Sequence, residues 1–159
     1  MQIESVAVTE LHVDPANVRR HSDRNLASIK ASLVRFGQQK PIVVSHKGTV
    51  IAGNGTLEAA LSLGWERVNV VRSVLAGSEA TAYSIADNRT AELAEWNDDG
   101  LAEMLRALQN EDAMLFAATG FDDKALAMLS PPTEFAEVDE SIETEHQCPK
   151  CGYKWSGGE

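Results

Sequence analysis

No stretch of this 159-residue chain approaches the roughly 18 consecutive apolar residues that a membrane span needs. The N-terminus has neither the basic nor the apolar region of a secretory signal, so the expectation is a cytoplasmic protein without membrane contact. Clustered cations are missing too: Lys and Arg number 14 against 24 Asp and Glu, a net charge of −10. Strong non-specific binding to duplex nucleic acid depends on such clusters, and the composition argues against it. Cysteine occurs only at Cys148 and Cys151, with no second pair elsewhere. Internal repeats are absent.

What is present suffices for one ordinary domain with an appendage, because an apolar fraction of 43% can build a single core. Charge is unevenly spread. Residues 1–75 carry nine basic and six acidic side chains, whereas residues 76–159 carry five and eighteen. This asymmetry suggests a mildly basic working face followed by an acidic half, although acidic helices that merely keep the protein dispersed would look the same.

Hydrophobic periodicity divides the chain. Ser5 to Leu11 alternates around Val6 and Val8 as a strand, which Asp14-Pro15 ends. Asp23 is positioned to cap a helix in which Leu26, Ile29, Leu33 and Phe36 recur at helical spacing until Gly37. Strands at Ile42 to Ser45 and Thr49 to Ala52, joined by His46-Lys47-Gly48, form a hairpin. A helix burying Leu57, Ala60 and Leu61 runs to Gly64, and Val68 to Val71 reads as another buried strand. From Ser78, a candidate cap, only helices follow: one presenting Tyr83, Ala86, Thr90 and Leu93 on a face, one from Asn97 or Asp98 to about Leu108, and a short one from Asp122 that Pro131-Pro132 terminates. The expected class is α+β: a mixed core at 1–75, a helical subdomain at 76–130, an acidic linker at 131–145 and a tail at 146–159.

The chemistry centres on Val50-Ile-Ala-Gly-Asn-Gly-Thr-Leu-Glu-Ala-Ala60. A strand running through a glycine turn into a helix aims the free N–H groups of the helix start at whatever lies above, which suits a phosphate. Gly53 and Gly55 permit close backbone approach, and Asn54 and Thr56 add side-chain hydrogen bonds; a structural turn that needs glycine is the alternative. Glu58, in the first helical turn, is a candidate base or orienter of a metal-bound water. Gln38, Gln39 and Lys40 precede a strand whose start should border the same cleft, where amides read a base edge and the ammonium a phosphate. Asp87, Asn88 and Arg89 interrupt a helix and must face solvent or line the cleft, since burial without partners is costly. In the tail, Cys148-Pro-Lys-Cys151-Gly has the spacing for two thiolates on one Zn²⁺, with His146 as third ligand. The fourth ligand is open: Glu145, a group from a second chain, or none. An idle thiol pair is the alternative to zinc, and Tyr153 and Trp155 can anchor a partner or stack on a base.

Four segments in this order resemble the N-terminal domain of the ParB/sulfiredoxin superfamily: Pro15-Ala-Asn-Val-Arg-Arg20, Phe36-Gly-Gln-Gln-Lys-Pro-Ile-Val-Val44, Val50 to Ala60, and Tyr83-Ser-Ile-Ala-Asp-Asn-Arg-Thr-Ala-Glu-Leu93. The stretch through Glu95-Trp96 and Thr119-Gly120-Phe121 is similar to the subgroup of phages, prophages and methyltransferase fusions. The resemblance implies that Arg19, Arg20 and His21 lie near bound phosphates, that the helix around Asn88 closes over the nucleotide, that Asn88 helps hold phosphate or Mg²⁺, and that Asp87 orients Arg89 or a metal's water. Two departures matter. Where segregation proteins of the family read Gly-Glu-Arg-Arg, this chain has Gly53-Asn-Gly-Thr56, so bidentate phosphate grip is lost there and CTP specificity does not carry over. The catalytic cysteine of sulfiredoxin has no counterpart in the turn, and no helix-turn-helix follows the core.

The leading expectation is therefore a phage or mobile-element module that binds a nucleoside triphosphate with Mg²⁺ and acts in DNA metabolism as a weak NTPase, kinase-like enzyme or nuclease. The rival is a non-catalytic adaptor that recruits a methyltransferase, terminase or host protein; DNA binding through the basic first half is a third reading. Homo-oligomerisation is left open.

Overall fold

Branched apolar side chains set the centre of the molecule. The computed structural model describes residues 2–129 and 146–155. Five strands, β1 (Ile3–Ala7), β2 (His12–Val13), β3 (Ile42–Val44), β4 (Thr49–Ala52) and β5 (Arg67–Arg72), form one sheet in the order β1-β5-β3-β4-β2. The sheet is mixed: β5 runs antiparallel to β1 and parallel to β3, β3 and β4 are an antiparallel hairpin, and β2 is parallel to β4. Ile42, Val44, Val50 and Val70, from the three inner strands, are no more than 1% exposed. β3 and β4 carry near-continuous apolar runs, as strands covered by the rest of the fold do, whereas β5 alternates, with Arg67 and Asn69 exposed.

Two helices pack against this centre. α1 (Asp23–Phe36) is capped by Ser22, whose side chain accepts the Asn25 N–H, rather than by Asp23. α2 (Asn54–Ser62) contacts both α1 and β3. Packing on two sides draws Gly55 and Ala59 inside with Leu57 and Ala60, and leaves Leu61, expected in the core, 51% exposed at the rim. The strand expected at Ser5 to Leu11 is also broken: after β1 the chain tightens into a 3-10 turn at Val8–Glu10, with the Leu11 amide donating to Val8 O. Val6 and Val8 still enter the core by alternation, and the 3-10 turn, with three residues per turn, returns Leu11 to it.

A second apolar cluster, Ala102, Leu105, Phe116 and Leu126, joins α4 (Asp98–Glu111), α5 (Ala113–Ala118) and α6 (Asp123–Leu129). Asn97 caps α4, Asp112 caps α5, and the Asp122 carboxylate accepts the Ala125 N–H at the start of α6. The sequence does not announce α5, because six residues are too few to display a helical period. Ion pairs Arg24–Asp122 (3.0 Å) and Arg35–Asp112 (2.9 Å) tie the cluster to α1.

Against β4 lies α3 (Gly77–Leu93), in which no residue is buried. It begins at Gly77 without a side-chain cap, one residue before the expected capping Ser78. Tyr83, Ala86, Thr90 and Leu93 are exposed, while Ala80, Ser84, Asp87 and Asn88 form the half-buried stripe. The side turned toward the protein is thus the small and polar one. Pro131-Pro132 and the acidic linker at 131–145 lie outside the described residues. In the tail, β6 (His146–Gln147) and β7 (Lys154–Trp155) form a two-stranded antiparallel hairpin where the residue pattern signals no strand. Among the described residues no helix is long and apolar enough to cross a membrane.

Candidate functional site

The turn from β4 into α2 is built on Gly53, whose φ of 101° is open to glycine and strained for other residues. No side chain caps α2, and its first turn carries no acid. The first N–H groups of a helix have no partner inside it, so this start presents donors and the positive end of the helix dipole. Over it lies a cavity of about 160 Å³. Its floor is Gly53 to Thr56; one wall is the loop carrying Asn17, Arg19 and His21, and the other is the polar stripe of α3, with Asp87 and Asn88.

Each wall is held by hydrogen bonds. Asn17 clasps the loop: its Oδ1 accepts the Arg19 N–H (3.1 Å) and its Nδ2 donates to Arg19 O (3.2 Å). The His21 imidazole lies on Gly55, where an added Cβ would come within 2.7 Å of the ring, and His21 Nδ1 is 2.7 Å from Asn25 Oδ1. Gly55 is therefore required by close approach rather than by backbone conformation. Asn88 Nδ2 donates to Ser84 O (2.8 Å), which orients its amide along α3. Arg19 is ion-paired with Glu92, and Arg89 approaches the same carboxylate at 3.4 Å. The Arg19 guanidinium is the main cause, with Arg89 second, of a Glu92 carboxyl held below its usual 4.5.

One atom stands out by lacking a partner. Asn54 Oδ1 is buried and accepts no hydrogen bond. A buried, unpaired polar atom costs about 1–3 kcal/mol, so such atoms mark places where a ligand or water completes the bonding. Asn54 can offer this oxygen or, rotated by half a turn, its NH₂ group.

The cleft continues along α3 into a space of about 260 Å³ between Asn17 to Arg19 and a stretch of helix that includes Ile85, Arg89 and Glu92. Of the residues singled out by sequence, Arg19, Gly53, Asn54, Gly55, Thr56, Asp87 and Asn88 thus border the first cavity, and Arg89 borders its extension. Arg20 and Glu58 are exposed and border neither. Gln38, Gln39 and Lys40, expected at the same cleft, line a separate depression with Phe36 and Thr119, which shares only Ile29 and Thr56 with the first cavity. The reason is local: Gln38 Oε1 accepts the Asn69 N–H (2.7 Å) and its Nε2 donates to Asn69 O (2.7 Å), so the side chain extends the pairing along β5, while Gln39 Nε2 donates to Phe36 O. Sequence reasoning missed Asn17 and Ile29 as lining residues. The Asp14-Pro15-Ala16-Asn17 turn chemistry is legible, but which side of the loop faces the glycine turn is not.

The expected three-ligand metal group does not assemble. Among the described residues no cluster of three or more His, Cys, Asp or Glu side chains is placed to hold a metal. His146 pairs across the hairpin with Trp155, ring centroids 5.5 Å apart, rather than joining the thiols. The amides of Lys150 and then Cys151 hydrogen-bond the Cys148 sulfur, and with the Cys151 side chain they hold that thiol below its ordinary range.

Comparison with known proteins agrees with this architecture. Residues 1–89 match the family model described as ParB N-terminal domain. Over 61 residues the chain is 38% identical to the ParB-like nuclease domain-containing protein YnaK of Escherichia coli (strain K12), covering 38% of this chain and 68% of that protein. The C-terminally truncated chromosome-partitioning protein ParB from Caulobacter crescentus, solved with CTP-gamma-S, superposes with a TM-score of 0.68 at 19% identity, over 81% of this chain and 77% of that one. A Pnob8-like ParB-N domain superposes with a TM-score of 0.50 at 17% identity, over 70% of this chain and 50% of the other.

Proposed function

This chain belongs to the ParB N-terminal domain family, and from that premise we propose that its glycine-turn cleft binds the triphosphate of a nucleoside triphosphate. The observation that carries the reading is the uncapped start of α2, opening beneath a cavity beside the buried, unpartnered Oδ1 of Asn54. The N–H groups of Gly53 to Thr56 hold phosphate oxygens, and Arg19 supplies the guanidinium for a bidentate contact. Asp87 and Asn88 are oxygen donors suited to Mg²⁺ or its waters, since that ion binds through one or two protein ligands plus phosphate. The nucleoside lies in the extension between Val18 and Ile85. The family likeness and the CTP analogue in the C. crescentus relative support nucleotide binding. With Asn54, Gly55 and Thr56 in place of a Glu-Arg-Arg run, the base need not be cytosine.

A phosphate in the cleft supplies negative charge, and the chain's own groups respond to it. Arg19 must turn from Glu92 toward the anion, and Asp87, as the carboxylate at the cavity, is the residue to which NTPase or nuclease chemistry falls; Glu58 is too far out on α2. We place this activity in the DNA metabolism of a phage or mobile element, on the likeness of the stretch through Glu95-Trp96 and Thr119-Gly120-Phe121 to that subgroup. A second reading, a non-catalytic adaptor, draws support from α3, where Ile85 and Leu93 are exposed by 56% and 62%.

A thermal-shift panel of CTP, ATP and GTP with and without Mg²⁺ separates the two. Binding at a hundredfold excess over Kd raises the midpoint by roughly 5–10 °C. Arg19→Ala and Asn54→Ala are expected to remove the shift. A shift that survives both substitutions puts the ligand elsewhere, and no shift with any nucleotide leaves the adaptor.

A further inference from the structure

The tail hairpin holds two thiols in a geometry that the cleft does not use. Cys148 and Cys151 are both free, and they sit on one tight turn closed by Cys148 N–H donating to Tyr153 O (2.7 Å) and Gly152 N–H donating to Cys148 O (2.9 Å). Gly152, at φ 80°, lets the chain reverse there. The thiolate is the form in which such a pair ligates metal.

Two thiolates are half of a tetrahedral set, and structural zinc sites are closed by four protein ligands. No third ligand joins them among the described residues, and the 159 residues contain no other cysteine. His146 is engaged with Trp155. The same hairpin carries an aromatic face: Tyr153 and Trp155 stack at 6.3 Å with planes 13° apart, yet remain 69% and 40% exposed. An incomplete ligand set beside exposed rings on so small an element calls for a partner that brings thiolates and apolar surface together.

We infer that Cys148 and Cys151 of two copies of this chain share one Zn²⁺, giving a four-thiolate site on a two-fold axis. A second copy is the occupant that fits, because its identical pair completes the set and its identical aromatic face meets the first; two-fold contacts are self-complementary in this way. Four sulfurs in tetrahedral array select zinc over oxygen-preferring cations. Each thiol gives its proton to solvent as its sulfur binds, so assembly is favoured by higher pH.

The test uses the full 159-residue chain, untagged and reduced, stripped of metal and then titrated with zinc chloride without nucleotide. Elemental analysis is expected to give one zinc per two chains, and sedimentation velocity a monomer-to-dimer shift that a chelator reverses. Cys148→Ser and Cys151→Ser should each abolish zinc uptake while the core melts as before. One zinc per chain, or none, overturns the proposal. The ratio decides even where the core self-associates, and because no nucleotide is present the outcome is independent of the cleft.

Discussion

At the scale of single residues, the cleft depends on what is small and what is paired. Gly55 yields its space to the His21 ring, so Gly55→Ala forces the imidazole aside and is expected to destabilise the protein by about 1–3 kcal/mol, the range for overpacking. Removing the ring as well, in Gly55→Ala/His21→Ala, should recover much of that loss; equal instability of the single and double variants in urea melts would show that the ring is not the obstacle. Glu92 acts on the opposite side. Its carboxyl is depressed by Arg19 and then Arg89, so the contribution of the pair is complete above 4.5 and is lost as acid carries the pH down through the lowered value. NMR titration of the Glu92 carboxyl carbon should give a midpoint below 4.5 that moves back toward it in Arg19→Ala, and Glu92→Gln should tighten triphosphate binding a few-fold by freeing Arg19. The effect stays small because exposed ion pairs are weak and screened by salt. Gly53 and Gly55 could be picked out of the sequence, since glycine is a poor helix former and its presence at a helix start signals a backbone that a side chain would obstruct. The unpartnered Asn54 Oδ1 could not, because partners are a property of the folded neighbourhood.

At the scale of elements, α2 and α3 contrast. α2 is short but covered on two sides, and its Leu57, Ala59 and Ala60 are no more than 1% exposed. α3 is nearly twice as long and buries no residue. Local stability follows burial, so amide exchange in α3 is expected to be the fastest among α1, α3 and α4, and Ile85→Ser should change global stability by no more than about 0.5 kcal/mol. Slow exchange in α3, matching that of β5, would mean that a surface covers it in solution. Sequence periodicity places α1 and α4 well because apolar residues recur in each at helical spacing. It misassigns the inward side of α3, where the stripe is Ala80, Ser84, Asp87 and Asn88, since a face that contacts the protein through polar groups leaves no hydrophobic signal. The same limit explains Leu61: periodicity cannot tell that α2 is packed from two directions.

At the scale of the molecule, the sheet and the α4–α6 helices have separate apolar clusters, and α3 meets β4 with only its small and polar stripe half-buried. The amino-acid sequence by itself determined the α+β class, the β3–β4 hairpin leading into the glycine turn, and the helix that starts at that turn. These are local consequences of alternation and turn residues. Only the tertiary structure decided which side chains share the cleft: it brought Asn17, Arg19 and His21 across to Gly55 and set Asp87 and Asn88 opposite, while Gln38 was drawn into pairing with Asn69 and His146 into contact with Trp155. Such groupings join residues far apart in the chain, and they follow from how helices and loops dock to satisfy buried surface and hydrogen bonds together, which no local pattern encodes.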